Sequence, residues 1–97
     1  MMTLDVNVQG HRAKAVINSG CTGNIISPKF ANKIGIQRYR RAQKVYFYTF
    51  DGNFIKENNS MIEKETGKIN LKIGKYKERT KFDIITIQGY DIILRLP

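Results

Sequence analysis

The chain has 97 residues, enough for one compact domain that buries a smaller share of its surface than larger domains do. At 41% hydrophobic and 26% charged its balance is globular, and 17 Lys and Arg against 8 Asp and Glu give a net charge of +9, which brings polyanions into consideration. One cysteine and one histidine exclude a disulfide framework and a multi-cysteine zinc site, no apolar run approaches the roughly 20 residues that span a bilayer, and MMTLDVNVQG lacks the pattern of a signal peptide. The expectation is a soluble, intracellular protein with no metal, no cofactor and no membrane contact.

Leu4, Val6 and Val8 alternate with Asp5, Asn7 and Gln9, the period of a half-buried strand over 3–8. Gln9, Gly10 and His11 make a turn, and 12–17 returns as a second strand with Ala13, Ala15 and Ile17 on one face. NSGCTG at 18–23 is a structured loop of small residues, and 24–26 is extended again. Ser27 as N-cap, Pro28 at the first helical position and Gly35 as the left-handed C-terminal residue frame a short helix with Phe30, Ala31 and Ile34 on one side.

RYRRAQK at 38–44 is the densest basic stretch, so any nucleic-acid affinity is expected to depend on Arg38, Arg40, Arg41 and Lys44 and to be weak and non-specific at most. Val45 to Thr49 and the region around Phe54 and Ile55 are rich in aromatic and β-branched residues, with the turn pair Asp51-Gly52 between them, so a second hairpin is predicted. After a polar stretch, Ile69, Leu71 and Ile73 alternate with lysines and asparagine, and Gly74-Lys75 turns the chain into a strand region over 76–87. YDIILRLP closes the chain, and the whole of 1–97 reads as a single, mostly β domain.

Three segments in this order, AVINSGCTGNIISPKFANKIGI at 15–36, VYFYTFDGNFI at 45–55 and FDIITIQGYDIILRLP at 82–97, resemble the retropepsin family of aspartic proteases, in the form encoded by long-terminal-repeat retrotransposons and retroviruses. The first matches the family's apolar strand, D-[ST]-G-[AC]-T loop, following strand and helix. The second falls where the family has its flap, and the third is similar to the strands that back the catalytic loop. The fold implied is all-β, a closed β-barrel subunit with one short helix and a flap hairpin. The activity implied is endopeptidase cleavage of a Gag-Pol-like polyprotein, in the cytoplasm or within virus-like particles.

The chemistry explains the residue types. Hydrolysis without a metal or covalent nucleophile needs a base for water and an acid for the substrate, and two close carboxylates sharing one proton supply both. One copy of this size carries one loop, so a homodimer with the site between subunits is expected. By resemblance, 18–20 are the catalytic triplet, here Asn18, Ser19 and Gly20. Cys21, Thr22 and Gly23 would line the floor of the peptide groove, and Phe50, Asp51, Gly52 and Asn53 the flap tip.

Asn18 is the main departure, because an amide has nearly the shape of a carboxylate but is no usable base at neutral pH. It marks either a deliberate substitution that traps an uncleaved state or a naturally degenerate copy. Two functions follow, a protease domain inactive in this form or a domesticated retropepsin fold that binds peptides or dimerises without cleaving. Arg95, in ILRLP, stands where the family has Gly and is expected to crowd the packing behind the loop. Cys21 suits a small buried filler better than a nucleophile, having only His11 as an available base, and Asp91 suits a structural hydrogen bond.

Overall fold

The computed structural model describes residues 2–18, 23–46 and 61–95. The strands are β1 (Met2–Val8), β2 (His11–Ile17), β3 (Ile25–Ile26), β4 (Arg38–Tyr46), β5 (Met61–Thr66), β6 (Ile69–Ile73), β7 (Tyr76–Thr80), β8 (Asp83–Ile84) and β9 (Ile92–Leu94), with helix α1 (Pro28–Lys33) after β3. They form one sheet in the order β4-β5-β8-β3-β9-β2-β1-β6-β7, curled into a half-barrel. The all-β expectation with one small helix is met.

The predicted β1–β2 hairpin forms, but its turn is only Gln9-Gly10: His11, expected in the turn, begins β2 facing Val8, and Met2 faces Ile17. Gln9 and Gly10 both take positive φ, 51° and 84°, the geometry that lets a two-residue turn follow the twist of its strands. That conformation is uncommon for glutamine. It is held because the Gln9 N–H donates to the Asn70 carbonyl (2.9 Å) while the Gln9 side-chain oxygen accepts from the Asn70 N–H (2.6 Å). The turn is thereby fastened to β6.

The central strands explain why isoleucines come in pairs. Ile26, Ile84 and Ile92 join Val6, Val8, Ala13, Ala15, Phe30, Leu71, Phe82 and Leu94 in the larger core. Their neighbours Ile25, Ile85 and Ile93 join Val16, Ile62 and Ile87 in a second cluster. Successive strand residues point to opposite faces, so β3 and β9 are covered on both sides, as the apolar runs of strands with parallel partners require. β9 runs parallel to β2 and antiparallel to β3, and β3 runs parallel to β8.

The helix forms as its caps predict. The Ser27 hydroxyl accepts from the Phe30 N–H at 3.0 Å, Pro28 occupies the first turn, and Gly35 has φ 74°. Two strand assignments differ from the sequence reading. The basic segment from Arg38 is the start of β4, and the polar stretch before Ile69 contains β5, two strands whose charged residues hide the period; their pairing slips between Arg40 and Val45. The strand expected over 76–87 stops at Thr80, because Phe82 turns in to be fully buried. There its carbonyl accepts the Thr66 N–H (2.9 Å) and its own N–H donates to the Thr66 hydroxyl (3.0 Å).

Asp91 ties the centre together. Its carboxylate accepts the Lys14 N–H (2.8 Å), its own N–H donates to the Lys14 carbonyl (2.8 Å), and its carbonyl accepts the Ser27 N–H (2.9 Å). One residue thus joins β2, the approach to β9 and the start of α1, which bears out the structural reading of its side chain. Asp91→Ala is expected to cost about 1–3 kcal/mol by leaving the Lys14 N–H without its acceptor. Asp91→Asn, which retains an acceptor, should cost less; urea unfolding midpoints of both variants check this.

Candidate functional site

β9 lies between β2, which leads into the 18–23 loop, and β3, which leaves it. The described residues at the two ends of the loop are both fastened to the end of β9. The Asn18 N–H donates to the Leu94 carbonyl (3.0 Å), and the Asn24 side-chain oxygen accepts the Arg95 N–H (2.9 Å). The Asn24 carbonyl in turn accepts the Asp83 N–H (2.9 Å), joining the loop exit to β8. Asn18 and Gly23 are half-buried at the two ends of the loop.

Of the residues expected to form the site, Asn18 and Gly23 are described. Ser19, Gly20, Cys21 and Thr22, and the flap-tip residues Phe50, Asp51, Gly52 and Asn53, lie outside the described residues. β4 and β5 are paired as far as Tyr46 and Met61, so the antiparallel pair leads up to the segment in which the flap tip is expected. His11 begins β2 and Asn18 follows its end; at about 3.3 Å per residue they stand roughly 20 Å apart, which places the histidine far from the loop entrance. Arg95 is exposed and sits on the rim of a surface depression, so the described surroundings show none of the crowding expected of it.

That depression has a volume of about 450 Å³ and is lined by Gly23, Asn24, Arg41, Glu65, Asp83 and Arg95, with Thr80 and Lys81. Arg41 is its hub. Its guanidinium is hydrogen-bonded to Asp83 on β8, lies 3.4 Å from a Glu65 carboxylate oxygen on β5, and donates through Nε to the Gln43 carbonyl (3.2 Å) in the irregular part of β4. Lys81 approaches Glu65 at 3.9 Å. A guanidinium set between two carboxylates pairs with both, so this cluster is an anchor for the paired strands β4 and β5 rather than an acid–base dyad.

Sequence reasoning missed Asn24, Arg41, Glu65 and Asp83. The visible signal was an aspartate inside the apolar run FDII. Within the basic stretch at 38–44, Arg38 and Arg41 are both engaged inside the fold. Arg41 is neutralised as described, and Arg38 is turned back onto the helix, donating to Asn32 Oδ1 (2.6 Å) and the Pro28 carbonyl (3.1 Å).

Burial pushes the Asp83 carboxyl above its ordinary 3.8; the charge and hydrogen bond of Arg41 oppose the rise and Glu65 adds to it. A carboxyl whose folded value is raised favours the folded state in its protonated form. Its contribution is complete below 3.8 and is lost as pH climbs through the raised value. Asp83→Asn is therefore expected to remove a stretch of declining stability that begins near pH 3.8, read from urea midpoints taken stepwise upward from about pH 3.

A family model described as the PEG10/RTL1 protease domain matches residues 14–97, from β2 through the loop, the helix, the β4–β5 pair and β9. Comparison with curated proteins finds no match. With a match over most of its length and an all-β sheet with one short helix, the chain belongs to the PEG10/RTL1 protease-domain family, a retropepsin-like group of retrotransposon origin.

Proposed function

We propose that this chain is the aspartic endopeptidase domain of a retrotransposon-type polyprotein, held in a form that does not cleave because Asn18 occupies the aspartate position. The observation that carries this reading is the placing of Asn18 at the end of β2, its backbone tied to Leu94 and the loop exit tied through Asn24 to Arg95. Both loop ends are fixed by groups that an Asn-for-Asp exchange leaves untouched. The scaffold for a carboxylate is kept while the carboxylate is not.

In the working form of such a site two chains would pair about a two-fold axis, each supplying one residue at position 18 to a shared-proton dyad. Ser19 would brace the loops across the axis, and Gly20 would let the backbones approach. The floor formed by Cys21, Thr22 and Gly23 and the flap tip at 50–53 would hold an extended peptide between them. Asn18 in both halves removes the base and the acid together. Either group contributes about 10²- to 10⁴-fold, so the loss leaves no measurable turnover.

A second reading, peptide binding or dimerisation without cleavage, draws on the same feature: loop ends this well tied also suit a domain used for holding rather than cutting. The two readings separate on one substitution. Asn18→Asp is expected to yield a pepstatin-sensitive peptidase active at acidic to mildly acidic pH, where a coupled pair of carboxylates is singly protonated. The Asn18 form is expected to be silent in the same fluorogenic assay. Peptide binding without cleavage by the Asn18→Asp variant would favour the second reading, and robust cleavage by the Asn18 form, once mass spectrometry has excluded deamidation, would contradict the mechanism.

A further inference from the structure

Charge that is dispersed along the chain is gathered by the sheet. The registers set Arg12 on β2 opposite Asn7 on β1, Asn7 opposite Lys72 on β6, and Lys72 opposite Lys77 on β7. The next pair along sets Asn70 opposite Arg79. Residues directly opposite share a face and stand about 4.5–5.5 Å apart. One row of polar groups therefore crosses four strands, about 15 Å at the usual strand spacing.

The cations of this row are exposed, and Arg79 steadies its guanidinium on the Lys68 carbonyl at 3.2 Å. A groove of about 550 Å³ runs along Asn7, Asn70, Lys72, Lys77 and Arg79, with Leu71 and Glu78 completing its lining. Among the described strand residues of this face the one carboxylate is Asp5, which is bound to Arg12 at 2.6 Å. Glu78, which also lines the groove, stands opposite the buried Leu71 and accepts the Tyr76 hydroxyl at 2.8 Å, leaving Lys72, Lys77 and Arg79 in excess over it.

Protection of a sheet edge against pairing with other chains accounts for lysine and arginine on β7, the outermost strand. It does not account for Lys72 on β6, which is paired on both sides, and a Lys72–Lys77 pair directly across the strands is destabilising by itself. Such a pair is relieved by an anion. The exposed large apolar residues of the described structure, Met2, Tyr39 and Tyr76, are not part of this row, so it offers neither the anchors a membrane surface asks for nor a platform on which bases stack. What remains is contact with phosphates.

We propose that the β2-β1-β6-β7 face, centred on Lys72, Lys77 and Arg79, is a sequence-independent binding surface for the phosphate backbone of nucleic acid. Phosphate contacts position a protein without reading bases, and their strength falls with salt as counterions are released. Arg12 lies near the start of β2 and Asn18 beyond its end, roughly 20 Å away along the strand. Nucleic acid on this face and peptide at the loop would not exclude each other.

The test is fluorescence anisotropy of a labelled oligouridylate across a salt series, with the protein carrying Asn18. Binding through three to four phosphates should give a log–log salt slope of roughly −2 to −3. The triple variant Lys72→Glu, Lys77→Glu, Arg79→Glu should weaken binding by about tenfold or more at roughly 0.1 M salt and flatten the slope, with Gln at the same positions giving a smaller loss of the same kind. A charge-matched control, Lys29→Glu, Lys33→Glu, Arg40→Glu, changes exposed residues on α1 and β4 and should leave affinity within about twofold of the starting protein. Equal losses in both triple variants would show that net charge alone is responsible and overturn the proposal. So would salt-dependent binding that the β6–β7 variants leave unchanged, or no binding at low salt.

Discussion

Everything at the candidate site depends on β9 being threaded between β2 and β3. A strand three residues long would contribute little at the edge of a sheet, but here it makes parallel pairs on one side and antiparallel pairs on the other. The strands that enter and leave the 18–23 loop, β2 and β3, lie on either side of this insert. The carbonyl of Leu94 and the N–H of Arg95 then meet Asn18 and Asn24 at the loop's two ends. Both described ends of the loop are thus tied to groups near the far end of the chain.

That arrangement is stable because the middle of the sheet is dry on both faces. The Ile-Ile pairs of β3, β9 and the β8 region send one side chain to each core, and several are fully buried. Polar groups at this level are admitted only where they are matched. Asp91 satisfies backbone groups of β2 and α1, while Thr66 satisfies Phe82. Arg41 fastens the β4–β5 pair to β8 through Asp83, so these strands and the strand beside the loop exit share one electrostatic knot.

Elements with a clean period or a specific cap were legible in the sequence. The first hairpin, the Ser27-capped helix, the Gly74 turn and the β6 strand all announce themselves through residues within a few positions of one another. β4 and β5 were not, because their apolar positions are few and their charged residues are matched only across strands, as Arg41 is by Glu65 and Asp83. The motif proposed for the site, Asn18-Ser19-Gly20 in front of Cys-Thr-Gly, was legible as a sequence pattern. Its support was not, because Asn24 acquires its role from Arg95, 71 residues away. The basic residues behaved likewise: the stretch that is dense in sequence is dispersed by its partners, whereas Lys72, Lys77 and Arg79 become neighbours only once β6 and β7 pair.

Under the proposed function, the chain, with Asn18 and Asn24 tied to Leu94 and Arg95, is half of a two-fold site. The most direct measurement is a concentration series of backbone amide NMR spectra. If two copies meet through their loops, amides of 18–24 should shift together as concentration rises, while those of the β6–β7 hairpin stay in place. Loop signals that remain unmoved up to the highest attainable concentration, or shifts confined to a different face, would contradict the shared site.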